Sequence, residues 1–431
     1  MSATGGRFGK SVLISLGFTV TMAAMALANN VVISQLGGTN GRGTYALIVA
    51  IIALALPICS AGLGNAATFF LGRGRAVSEV AGLNAVVTAA LLPVAVIGGV
   101  LVWRGIGGSA HWTAATFAAA AIPAAVAIEL ARGVYLGQGR VVAYHLCQAS
   151  VIVVLIAGNA ALLRYDADWV QYSVVIAYWA VALVVLPIGV RHWRPLSLPS
   201  RAQIRITLGY GVRSAGTTLA DAGLLRLDYL VMAPFVSVAA VGLYAIADQV
   251  THLMSWGGLV AGRMMLLESA SDQTGDKARA KAELATRLYI LVIILGSMGA
   301  AATLWWLIPF AFGTDFAPSY IGVLLLLPAT LSKGIHALLS TYLTGRGVLI
   351  PIVRAGVVAV AADVVMVVVL APTMGWTGVA IAKSCAYAIQ LGLTIRAFRV
   401  HTGGMPQMVP RPEDIRAVAR WGRARLVRAS P

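Results

Sequence analysis

The second half of this 431-residue chain repeats the first, and nearly all of both halves is apolar. Tyr135-Leu136-Gly137-Gln138-Gly139 returns as Tyr342-Leu343-Thr344-Gly345-Arg346-Gly347, and Trp169 returns as Trp376 at the same offset of 207 residues. A third pair, Gly43-Thr44-Tyr45-Ala46 against Gly242-Leu243-Tyr244-Ala245, lies at an offset of 199. The second copy therefore carries eight extra residues (207 − 199), and Lys277, Arg279 and Lys281 fall in that interval as an enlarged solvent loop. A duplicated bundle restricts the fold strongly, because secondary transporters are built from such repeats with the site at their interface.

The chain is 59% hydrophobic and 11% charged, more apolar surface than a soluble core can hide. Twelve apolar runs of membrane-spanning length are legible, at about 11–35, 44–70, 80–103, 113–135, 141–163, 169–190, 212–236, 239–265, 285–312, 318–343, 348–371 and 376–398. They are rich in Gly, Ala and Ser, which allow close helix packing, and lack the short alternation of an outer-membrane barrel. The expectation is an all-α integral membrane protein with twelve transmembrane helices in two six-helix bundles. An even number of spans per copy makes the repeat parallel, with its pseudo-two-fold axis along the membrane normal.

Placing the N-terminus in the cytoplasm puts 25 of the 32 Lys and Arg residues inside and only Arg42, Arg104 and Arg164 outside. That orientation implies a multi-pass protein of the inner (plasma) membrane with both termini cytoplasmic. The net charge of +17 reflects this bias and an attraction to anionic lipid at the cytoplasmic face, not nucleic acid. The expected domains are a bundle over 1–190, a cytoplasmic connector over 191–211, a second bundle over 212–400 and a basic tail over 401–431. Arg201, Ile204 and Arg205 give the connector an amphipathic pattern, although an ordinary loop fits it equally well; in the tail, Arg416, Arg420 and Arg423 share one face of an interfacial helix.

Cys59, Cys147 and Cys385 all fall in apolar runs, so neither a disulfide framework nor a metal cluster is indicated. No phosphate-binding loop, nucleophile elbow or His-Glu-x-x-His motif occurs. No catalytic residue, metal or cofactor is expected, and the chain does not read as an enzyme.

Ionisable groups inside a span cost roughly 2.5–3.5 kcal/mol each and mark cavities or partners. Arg226, Lys333, Arg354 and Lys383 are the four basic residues within spans. Asp221, Asp228, Asp248 and Asp363 are acidic candidates for ion pairing or coupling. Asp221 and Asp228 share a helical face from which Arg226 points away, leaving it to meet a ligand, unless an internal ion pair holds it. Lys333 and His336 face one way, Lys383, Tyr387 and Gln390 form a stripe, and Arg354 is near enough to the inner surface to snorkel. In the first half, Asn29, Asn30, Tyr144 and Gln148 are neutral candidates for a cavity wall, each also readable as helix–helix glue. Glu129 and Arg132 read as a structural pair, and His145, His252 and His336 as packed groups or cavity wall.

Leu36-Gly37-Gly38-Thr39-Asn40-Gly41-Arg42-Gly43-Thr44-Tyr45-Ala46-Leu47, then Gly62-Leu63-Gly64-Asn65-Ala66 and Phe69-Phe70-Leu71-Gly72-Arg73-Gly74, resemble the opening of polysaccharide-biosynthesis flippases of the Wzx type. Val241-Gly242-Leu243-Tyr244-Ala245, Phe312-Gly313-Thr314-Asp315-Phe316 and Gly375-Trp376-Thr377-Gly378-Val379-Ala380 extend the resemblance to about residue 400. Their superfamily also holds multidrug-and-toxin extrusion antiporters and the lipid II flippase. The resemblance implies a V-shaped pair of bundles that alternate access and flip a polyprenyl-pyrophosphate-linked oligosaccharide from the inner to the outer leaflet. It further implies H+ or Na+ coupling and work alongside glycosyltransferases and a polysaccharide polymerase, for cell-surface polysaccharide. Arg226, Lys333, Lys383 and, less directly, Arg354 would hold the pyrophosphate. The alternative is a cation-coupled multidrug extrusion antiporter, against which stands the lack of any acidic residue in residues 11–35.

Overall fold

The computed structural model describes residues 3–103, 110–271 and 276–411, which excludes most of the basic tail and its proposed interfacial helix. Every regular element among the described residues is helical. The α-helices are α1 (Ala3–Cys59), α2 (Leu63–Gly72), α3 (Val77–Trp103), α4 (Ala110–Gly137), α5 (Val141–Leu162) and α6 (Val170–Trp193), followed by α7 (Arg201–Met232), α8 (Val238–Ser271), α9 (Asp276–Phe312), α10 (Ser319–Gly345) and α11 (Ile350–Thr402). The twelve apolar runs map onto these helices: α1 carries the first and begins the second, which continues on α2, and α11 carries the last two. α1 and α11 each break at a glycine in a left-handed conformation, Gly38 (φ 60°, ψ −163°) and Gly375 (φ 62°, ψ −146°). A side chain added at either would meet nothing, so the requirement there is backbone freedom, not space.

Eight helical segments among the described residues are long and apolar enough to cross a membrane. The chain is a multi-pass membrane protein. Its exposed residues suit lipid: Val96 and Ile97 on α3, Leu183 and Val184 on α6, Val292 and Met298 on α9, and Val365 and Val369 on α11 are all exposed. Exposed Tyr165, Trp169 and Tyr172 cluster where α6 begins, and Trp305, Trp306 and Phe310 where α9 ends, as aromatic side chains do at a membrane interface. α7 falls outside the eight, and it carries Asp221, Arg226 and Asp228 in its C-terminal half.

The chain divides into two compact units: Met1–Leu243 with Phe310–Asp315, and Tyr244–Pro309 with Phe316–Pro431. In unit 1, α4 is the central helix; its apolar window is 83% buried, and it packs against α1, α2, α3, α5 and α6. Its alanines explain this, since Ala114, Ala118, Ala121 and Ala124 let neighbours approach closely. α7 packs on α1 and α2 in the same unit. A Cβ on Gly62, itself left-handed, would lie 2.1 Å from the Gly211 carbonyl oxygen. Around that approach, Asn65 donates to Ser214 (2.7 Å), Arg75 donates to Thr207 (2.6 Å) and Phe69 stacks on Tyr210 (4.3 Å).

The 191–211 stretch is split. Residues 194–200 are non-helical, whereas Arg201, Ile204 and Arg205 form the first turns of α7, which a Ser200–Gln203 capping box starts. In unit 2, Tyr289, Ile335, Leu338, Leu339, Tyr342 and Phe398 form a core that ties α9, α10 and α11 together. Tyr289 fills the hollow at Gly334 and donates to the Thr330 carbonyl (3.0 Å).

Candidate functional site

Three helices of unit 2 bring charged side chains to one place. Asp248 and His252 are four apart on α8, Lys333 comes from α10, and Lys383 and Tyr387 are four apart on α11, so each helix offers one face. The Lys383 ammonium, 2% exposed, lies 2.9 Å from an Asp248 carboxylate oxygen, itself 14% exposed. An ammonium so far from water needs an anion beside it, and the carboxylate meets that need. The Lys383 Nζ also lies 5.6 Å from the centre of the Tyr244 ring, and Lys333 Nζ lies 5.6 Å from that of Tyr387. Such cation–π contacts stabilise a desolvated ammonium by up to about 2 kcal/mol each.

Lys333 Nζ is 2.6 Å from His252 Nδ1. With Lys333 as an ammonium, which only donates, His252 accepts through Nδ1 and carries its own proton on Nε2. These five side chains, with Thr251, Ser255, Leu326, Ala329 and Thr330, line one cleft. Thr251 and Thr330 each donate a hydroxyl to a carbonyl of their own helix.

Unit 1 holds a polar chain of another kind. Asn159, fully buried on α5, donates to Asn29 Oδ1 (2.9 Å) and accepts from Ser173 on α6. Asn29 donates onward to the Tyr45 hydroxyl (3.2 Å). Arg42 sits 5.6 Å from the Tyr45 ring centre, and Tyr45 is within electrostatic reach of both Arg42 and Arg226. Arg226 is half-buried and lies 5.6 Å from the centre of the Tyr229 ring; Asp228 is fully buried and accepts from the Tyr229 amide (3.0 Å).

The structure thus gathers Lys333, Lys383 and Asp248 in unit 2, and Arg226 and Asn29 in unit 1. The remaining candidates are dispersed. Asp363 is buried on α11, whereas Asp221 and Arg354 are exposed. Asn30 donates to Ala26 within its own helix. Tyr144 and Gln148 are half-buried on α5, and Arg132, paired with Glu129 at 2.6 Å, lies 4.5 Å from the Tyr144 ring centre.

Sequence reasoning undervalued four groups. His252 counted as cavity wall, although its four-residue spacing from Asp248 marks it as a partner in the same cluster. Arg42 counted as an outer loop residue, yet it lies on the second arm of α1 and is 5% exposed. Asn159 and Ser173 lie inside apolar runs, where a polar side chain at that depth is the available signal.

No protein-family model and no curated protein sequence matches the chain. Solved structures do. A lipid II flippase MurJ in an inward closed conformation aligns with a TM-score of 0.73 at 12% identity, covering 90% of this chain and 87% of that one. The fold is that of the MOP-superfamily transporters. An inward-facing multidrug resistance MATE family transporter of the MOP superfamily aligns at 0.67 and 15% identity, covering 88% and 94%. An outward-facing structure of a MATE family transporter of the same superfamily aligns at 0.54 and 16%, covering 91% and 95%. These neighbours are transporters, not enzymes.

Proposed function

We propose that this protein is a flippase that moves a polyprenyl-pyrophosphate-linked oligosaccharide from the inner to the outer leaflet by alternating access. The observation that carries the reading is the lysine cleft of unit 2. Lys333 and Lys383 offer a desolvated phosphate two ammonium groups, and the polyprenyl chain can stay in lipid while the head group enters the protein. Arg226, which like Arg42 is within electrostatic reach of Tyr45, is a further cationic position for the substrate. Asn29, Asn30, Tyr144 and Gln148 suit sugar hydroxyls, Asp221, Asp228, Asp248 and Asp363 are the acidic groups for coupling or ion pairing, and Arg354 is best placed to meet lipid head groups.

In this reading the twelve spans form two six-helix repeats, residues 1–190 and 212–400, joined by 191–211, with both termini cytoplasmic in the inner membrane. Glycosyltransferases make the substrate and a polysaccharide polymerase consumes it. A drug antiporter on the same fold would move cations, for which a cleft with two lysines and one aspartate is a poor match.

The test is transport in proteoliposomes of a labelled polyprenyl-pyrophosphate sugar against a fluorescent cationic drug. The flippase reading expects flux of the lipid-linked sugar alone. Arg226→Ala should lower it at least about tenfold, the loss of one charge-assisted hydrogen bond, while the protein stays folded and monodisperse. Drug flux without lipid-linked sugar flux would overturn the assignment.

A further inference from the structure

We infer that His252 and Lys333 form a proton switch that makes substrate engagement and proton uptake one event, an inference that rests on the flippase reading for the identity of the anion. The contact of 2.6 Å between Lys333 Nζ and His252 Nδ1 exists only while Nδ1 has a lone pair to offer. Histidine is the side chain that changes charge near neutral pH. A proton on Nδ1 would set two cations at that distance, so protonation of His252 and the Lys333 contact exclude each other. The contact is present at pH above the titration of His252 and is lost as pH falls through it.

The same exclusion runs in the other direction. When an anion draws the Lys333 ammonium away, His252 Nδ1 takes a proton from a hydronium ion, leaving an imidazolium on the cleft wall and a water molecule. When the anion departs, Lys333 returns, and His252 gives that proton back to water as hydronium. One N–H bond forms as one O–H bond breaks, and the return step reverses both. By linkage, substrate and proton then favour each other's binding.

The groups facing the pair fit this assignment. On α8, Asp248 lies one turn before His252, lines the same cleft and pairs with Lys383 of α11 at 2.9 Å. From α11, Tyr387 presents its ring to Lys333. On α10, His336 lies three residues beyond Lys333 and binds Thr394 at 2.8 Å, while Tyr289 of α9 donates to the Thr330 carbonyl. Lys333 is half-buried whereas the Lys383 side chain is 2% exposed, so of the two lysines it is the more accessible.

Two measurements test the switch on the full chain. In membranes without substrate, ¹⁵N spectra of His- and Lys-labelled protein should show the Lys333 Nζ resonance shifting at the pH where one imidazole becomes imidazolium. His252→Asn, whose Oδ1 keeps the acceptor but cannot titrate, should abolish that shift. A Lys333 resonance indifferent to histidine titration would overturn the proposal. In proteoliposomes, flux of the polyprenyl-pyrophosphate sugar should rise several-fold as the loading side is taken from about pH 8 to pH 6, and should be flat in H252N. The wild-type pH profile persisting in H252N would also overturn it. Coupled resonances in a protein that carries no lipid-linked sugar would defeat the flippase reading and leave the switch standing.

Discussion

Tyr45 and Tyr244 occupy the same position in the two copies of the repeat, 199 residues apart, and their surroundings differ in kind. Beside Tyr45 runs a chain of amides and hydroxyls, Asn29 to Asn159 to Ser173, in which each group satisfies the next. Beside Tyr244 stands the ammonium of Lys383, paired with Asp248 at the edge of a cleft. At the offsets of 199 and 207, Asp248, His252, Lys333, Lys383 and Tyr387 fall on Val49, Ala53, Val126, Ile176 and Ala180. The first copy carries apolar side chains where the second carries a charged cluster. A satisfied neutral network can hold helices together at little cost, whereas buried charge is expensive and implies a use beyond holding helices together.

The sharpest way to break this comparison is to unbalance the charged side. Lys383→Met or Asp248→Asn alone strands a buried charge and should destabilise unit 2 by about 3–5 kcal/mol. The K383M/D248N double variant should regain most of that stability in thermal melts while transport stays lost. Equal stability of all three would mean that the pair is solvated and the contrast false.

On the neutral side a smaller effect is expected. Asn159→Ala leaves Asn29 and Ser173 each short of a partner and should cost about 1 kcal/mol, the scale of interhelical hydrogen bonds in membranes. Flux per folded molecule should be unchanged; a transport defect without a stability change would move this network from scaffold to site.

The smallest effect falls outside both clusters. Arg354→Ala, at an exposed position, should change melting by less than about 0.5 kcal/mol and flux hardly at all. A strong transport defect would place Arg354 with the lysines.

Much of the fold was legible because a bilayer enforces it. A polar backbone in hydrocarbon must form helices, so apolar runs of sufficient length translate directly into elements, and the glycine-bearing turns Tyr135–Gly139 and Tyr342–Gly347 mark equivalent helix ends. The kinks at Gly38 and Gly375 were not legible, since a glycine in an apolar run looks the same whether it packs or bends. The site was half legible. Lys333, Lys383 and Asp248 stand out by their cost in a span, but three helices 81 and 50 residues apart (252 to 333, 333 to 383) meet only in the folded chain.

The sequence by itself determined the class of protein, the helices and the short roster of residues too costly to be in a membrane without reason. Tertiary structure alone decided which of them are partners: Lys383 with Asp248, Lys333 with His252, and Arg42 drawn from a supposed loop to the side of Tyr45. Hydropathy and periodicity are properties of one helix at a time, and the energy of a buried charge depends on what another helix places within about 3 Å of it.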